Sequence, residues 1–325
     1  MTCSDAVFRG HRQVLARLSD DAVRAGVRWA WNRVQAKANR IPKEPELVAG
    51  IVLRGTPQIE SSWNSILRPH GIRVAGAGVF CHQKPYVTKC SSGDSCELGD
   101  LLLVHFHSDS SGFVSRSAIL LQAKLDARLA TSGGDQIQLD LYSKWPPFVY
   151  GKRARNHRDP DVNVTPHSRS RGAQYLIIDP IRPPRYQPMV AWVGMAANPI
   201  VSSSSLGEEF ASMPLDLGGR GFGSRRDALA EKSAGPGNWT FMIWDLIDTA
   251  ANHAFDSTGL GKVPRWVGNV ITESAGFGTA TKSEFQALIR NVEADPDPPG
   301  EWVFDDEEGG GFGVILLRTQ LERSQ

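Results

Sequence analysis

Two short apolar runs constrain this chain more than anything else in it: "CELGDLLLVHF" at Cys96 to Phe106 and "AILLQAKL" at Ala118 to Leu125. Between them lies "SDSSGFVSRS", rich in turn residues, so an antiparallel hairpin is the simplest connection. The first run opens on Asp100 and the second closes on Gln122-Ala123-Lys124. An unpaired buried charge costs several kcal/mol or shifts its pKa until it neutralises, so both ends need a reason. Pairing Asp100 with Lys124 centres the turn on Gly112, a residue suited to a tight reversal. Asp100, Gln122 and Lys124 then share even parity and leave the same face of the sheet, and this survives any shift of the pairing by two residues. A salt bridge between strand ends is one explanation; a catalytic edge is the other.

The rest of the chain sets the frame. Its 325 residues, 41% hydrophobic and 22% charged, suit one large or two smaller globular domains. A formal charge of +1 excludes a global field that would announce nucleic acid or membrane, so any such signal is local. Four cysteines are too few for a disulfide framework in a chain this long. "MTCSDAVFRGHRQV" has no apolar leader core and no run approaches a membrane span, so a cytoplasmic protein is expected.

Along the chain, "SDDAVRAGVRWAWNRVQAKANR" predicts a solvent-facing amphipathic helix over about 19–40. "EPELVAGIVLRG" and "TPQIESSWNSILRPHG" predict two further short helices, the second with Thr56 as cap and Pro57 at its first position. Each then carries a first-turn glutamate, Glu46 and Glu60. "IRVAGAGVFCH" reads as a strand, "GGDQIQLDLYSKW" as a turn and helix stopped by Pro146 and Pro147, and "AQYLIID" and "PMVAWVGM" as strands. Further on, "SLGEEFASMPLDL", "GNWTFMIWDLIDTAANHAF" with Asn238 as cap, and "ATKSEFQALIRNVEA" read as helices, and "GFGVILLRT" as a last strand.

This order resembles the core of the PD-(D/E)XK, or restriction-endonuclease-like, nuclease superfamily: a helix with an acid, a strand, a strand opening on Asp, an antiparallel strand closing on Gln-x-Lys, then a helix. Glutamine in place of the second acid is a departure, similar to the D-QxK variant of Mrr-type restriction nucleases. "QLDLY" adds Gln138 and Tyr142 at the Q-xxx-Y spacing of RecB-type members, which puts both on one helix face. The resemblance covers about 46–195. It implies an α/β fold with a mixed central sheet flanked by helices. Residues 1–43 would form an N-terminal helical region, 44–200 the nuclease core, and 201–325 a mostly helical C-terminal elaboration packed on it.

The implied activity is Mg²⁺- or Mn²⁺-dependent endonucleolytic hydrolysis of phosphodiesters, DNA before RNA, in a setting such as bacterial anti-phage defence. Magnesium takes oxygen ligands from one or two carboxylates and keeps several waters. Asp100 would anchor it, with the Gln122 amide oxygen and the Ala123 carbonyl beside it, and Lys124 would hold the attacking water or stabilise charge growing on the phosphate. Gln138 and Tyr142 would orient Lys124 or the DNA backbone. Either Glu46 or Glu60 would complete the site, unless both are simply helix-dipole partners.

The stretch "GKRARNHRDPDVNVTPHSRSRG" has little to bury, and its Lys152, Arg153, Arg155, Arg158, Arg169 and Arg171 suit either phosphate contacts or a solvated loop. Two rivals stand beside the nuclease. One is a catalytically inactive nucleic-acid binder on the same fold. The other is an interaction module stapled by zinc on Cys81, His82, Cys90 and Cys96, although these lack a C-x₂-C pair. A regulatory protein partner or a second copy of the chain fits either.

Overall fold

The computed structural model describes residues 3–81, 85–109, 114–125, 134–151, 162–164, 172–178, 189–192, 201–234, 238–253 and 311–322. Helix α1 (Cys3–Ala38) begins well before residue 19. The reason is that Phe8 and Leu15 continue its buried stripe toward the N-terminus, and it packs between α5 and the next helices instead of facing solvent. It stops at Asn39, which takes a left-handed φ of 48°.

The two short helices expected next are one continuous run. α2 (Glu44–Gly50) passes through a π-helical turn at Ile51–Gly55 straight into α3 (Thr56–Leu67). Thr56 has helical φ and ψ, so it caps nothing, and Glu60 lies inside the helix where a first-turn dipole role is closed to it. α1 and α2 cross backbone to backbone. A Cβ on Gly26 would sit 2.5 Å from the Gly50 carbonyl oxygen, so both positions exclude side chains.

The strands follow: β1 (Ile72–Cys81), β2 (Tyr86–Lys89), β3 (Ser95–Glu97), β4 (Leu101–Ser108), β5 (Val114–Lys124), then α4 (Gly134–Lys144), β6 (Phe148–Tyr150), β7 (Ala173–Ile177), β8 (Met189–Trp192) and β9 (Val201–Ser205). After them come α5 (Leu206–Ser212), β10 (Arg220–Gly221), α6 (Arg225–Ala234), α7 (Trp239–His253) and β11 (Phe312–Leu321). Asn238 caps α7, its side-chain oxygen accepting from Thr240 N–H at 3.2 Å. β2, β3 and β6 form a small separate sheet that sequence patterning did not reveal.

The chain is an α/β protein with a mixed eight-stranded sheet in the order β1-β11-β4-β5-β7-β8-β9, and β10 pairs with β5. β4–β5 is the expected hairpin, with Leu101 opposite Leu121. That register is two residues from the one centred on Gly112, a residue outside those described, and it leaves the parity intact. β7 runs parallel to β5 and β11 parallel to β4. The last strand thus lies between β1 and the hairpin, inside the sheet. Odd-numbered residues of β4 and β5 face a layer of α1, α2, α3 and α5; even-numbered ones face α4, α7 and the small sheet. Among the described residues no helix is long and apolar enough to cross a membrane.

Candidate active site

At one edge of the sheet β4 begins, β5 ends and α4 passes over both. Asp100 is 2% exposed, and its Oδ2 accepts from the Gln122 side-chain amide and from Ala123 N–H at 2.8 Å. Gln122, also 2% exposed, turns its Oε1 to Gln138 Nε2 on α4. The predicted Asp, Gln and helix glutamine therefore meet in one buried cluster. Lys124, half-buried, lies two residues on, with the same parity as Gln122.

The helix face carrying Gln138 and Tyr142 is turned to this edge, yet it does something other than orient Lys124. Gln138 Nε2 also donates to the Glu97 carbonyl at 3.1 Å, and Tyr142 Oη donates to the Leu98 carbonyl at 2.7 Å. Two residues one helical turn apart thus hold two successive carbonyls just ahead of Asp100. Burial pushes the Tyr142 phenol well above its ordinary range, so it stays a donor. Its ring packs beside Trp145 and Tyr175.

Neither candidate glutamate joins the cluster through a hydrogen bond of its own. Glu46 is gripped by Arg40 through both carboxylate oxygens and takes the Lys43 N–H at 2.7 Å in a capping box. Its helix belongs to the layer on the opposite face of the sheet from Gln138. Glu60 lies over β1 beside Gly76, separated from β4 by β11. Burial raises its carboxyl pKa against a backbone hydrogen bond from Gly76. Glu46→Ala should therefore cost stability, roughly 1–2 kcal/mol, chiefly by leaving the Lys43 backbone donor without its acceptor, since the Arg40 guanidinium is partly exposed. Urea unfolding measures this; unchanged stability with weakened cation binding would return Glu46 to the site.

The donor set bears on a cation as follows. Ala123 N–H points to the β4 side to reach Asp100, so the Ala123 carbonyl leaves on that side as well. Lys124 turns its carbonyl to the other neighbour, accepting from Ile178 N–H at 2.8 Å. A carboxylate and a backbone carbonyl at one edge fit a hard cation that keeps most of its waters. The Gln122 oxygen is turned to Gln138, and the amide shows its N–H₂ to Asp100. Among the described residues no three His, Cys, Asp or Glu side chains converge in one group.

Of the four zinc candidates, Cys96 is buried in β3, where burial pushes its thiol up to about 11. Cys90 is half-buried in the turn after β2; His82 and the Cys81 side chain lie outside the described residues. So do Lys152, Arg153, Arg155, Arg158, Arg169 and Arg171.

Sequence patterning missed one buried polar group on the other face. His105 Nε2 and His107 Nδ1 both bond Thr319 Oγ1, at 3.0 and 2.9 Å, and His107 Nε2 reaches Ser4 Oγ at 3.1 Å. The odd parity of both histidines was its only signal. Compared with family models, with curated proteins and with solved structures, the chain matches none.

Proposed function

We propose that the chain is a metal-dependent nuclease of restriction-endonuclease-like class, cutting phosphodiesters of DNA at the edge formed by Asp100 and Lys124. The observation that carries the reading is the convergence of Asp100, Gln122 and Gln138 in one cluster, from a strand start, a strand end and the following helix. That convergence is what the motif order asks for. Asp100 and the Ala123 carbonyl would hold Mg²⁺ or Mn²⁺, whose bound form polarises the phosphoryl oxygen and lowers the pKa of water. Lys124 supplies a cation for charge developing on the phosphate.

A second reading is a nucleic-acid binder that does not cut. What favours it is the engagement of Asp100 by Gln122 and Ala123, which already occupies one of its carboxylate oxygens. Incubating purified protein with plasmid and linear DNA, with Mg²⁺, Mn²⁺ or EDTA, separates the two. Cation-dependent cleavage is expected; binding without cleavage under every condition would favour the second reading.

On either reading the basic segment contributes salt-sensitive affinity. Neutralising Lys152, Arg153, Arg155 and Arg158 together should make log K less steep in log salt by up to roughly 0.9 per lost phosphate contact. Filter binding across a salt series measures it, and an unchanged slope would make the segment a solvated loop.

A further inference from the structure

We infer that Gln122 is a positioning residue: the hydrogen-bond polarity of the cluster makes it present its N–H, and not its oxygen, to Asp100. Gln138 Nε2 carries two protons, and both are spent on acceptors: the Glu97 carbonyl and Gln122 Oε1. The Glu97 carbonyl can only accept. Turning the Gln138 amide over would therefore set oxygen against oxygen in a buried site, where an unmade hydrogen bond costs about 1–3 kcal/mol.

With Gln138 fixed, Gln122 must show it oxygen, and so must show nitrogen to Asp100. An ionised Asp100 is likewise acceptor only, so both ends of the chain from Glu97 to Asp100 enforce one direction. The same helix face holds the Leu98 carbonyl through Tyr142. Between Leu98 and Asp100 the backbone passes through Gly99, where a Cβ would stand 2.7 Å from Leu120 Cδ1 and 3.1 Å from the Tyr142 hydroxyl. Helix α4 thus sets the entry into β4, while Gln122 and the Ala123 N–H set the carboxylate itself.

This reverses the expectation that Gln122→Glu restores a better site. Glutamate at 122 would still accept from Gln138, but it would place a second carboxylate against Asp100 in a buried setting. Exchanging the two residues removes the like-charge pair at constant net charge. In the double variant Asp100→Asn with Gln122→Glu, a neutral amide again faces a single carboxylate, but the position of Asp100 Oδ2 meets both residue 122 and the Ala123 N–H, so the asparagine group there serves one of the two and recovery is partial.

Thermal melts in EDTA test this on Gln122→Glu, Asp100→Asn and the double variant, and they rest on the nuclease reading in no respect. Gln122→Glu should melt lower than wild type by roughly 5 °C or more, or fail to fold. The double variant should fold and melt clearly above Gln122→Glu, though below Asp100→Asn alone. A Gln122→Glu protein that melts with the wild type overturns the inference, and so does a double variant that melts no higher than Gln122→Glu. Calorimetric titration of wild type with Mg²⁺ tests the nuclease reading separately: absent binding would sink that reading and leave the melts standing.

Discussion

Lowering the pH from 7 to 5 is expected to weaken the fold substantially, with His105 as the main cause. Burial, with His107 as a like-charged neighbour, lowers its pKa from 6.5 to about 3, so the folded ring stays neutral. The unfolded chain takes up that proton below about 6.5. Stability is therefore intact above 6.5 and is lost progressively as pH falls toward 3, at up to about 1.4 kcal/mol per pH unit and roughly 5 kcal/mol over the whole window.

His107, lowered mainly by burial against the opposing charges of Asp109, Asp5 and Asp216, adds to the same trend. Asp20, Glu60, Asp216 and Asp248 have raised pKa values and act with opposite sign as they protonate. Because those carboxyls titrate above the ordinary carboxylate range, the histidine part is isolated by comparison with a variant that lacks the ring, not by the choice of pH window. Urea midpoints at pH 7, 6 and 5 measure it. His105→Asn, which does not titrate, should flatten the dependence, and an equal slope in both proteins would contradict the assignment.

The second large effect concerns cleavage. Asp100→Asn keeps an acceptor for the Ala123 N–H and removes the charge that anchors a cation, so cleavage should fall by about 10²-fold or more while the fold persists. Asp100→Ala is a poorer probe. It strands the Gln122 and Ala123 donors in a buried site, and lost activity would then be confounded with about 1–3 kcal/mol of destabilisation per donor. Lys124→Ala, at a half-buried strand end, should lose cleavage to a similar degree with little effect on melting.

The cluster was legible in sequence because strand parity is independent of register. Asp100 and Gln122 share a face whether the hairpin centres on Gly112 or one residue earlier. Likewise Gln138 and Tyr142, four apart, had to share a helix face, and Asn238 declared a cap by its side chain. Legibility ended where the outcome depends on contacts distant in sequence. "GFGVILLRT" reads as a strand from its apolar run, but nothing local says that it separates β1 from β4. Thr56 and Pro57 look like a helix start, yet the chain reaches them already helical, through a π turn that packs on α1. The direction of the Gln122 amide was hidden for the same reason, since it is dictated by the Glu97 carbonyl through Gln138.

The most direct measurement of the central claim is cleavage of plasmid DNA by wild type, Asp100→Asn and Lys124→Ala, each at matched folded concentration, with Mg²⁺, Mn²⁺ or EDTA. The account predicts cation-dependent cutting by wild type and loss of it in both variants, with melting temperatures retained. Wild-type cutting in EDTA, or undiminished cutting by either variant, would contradict it.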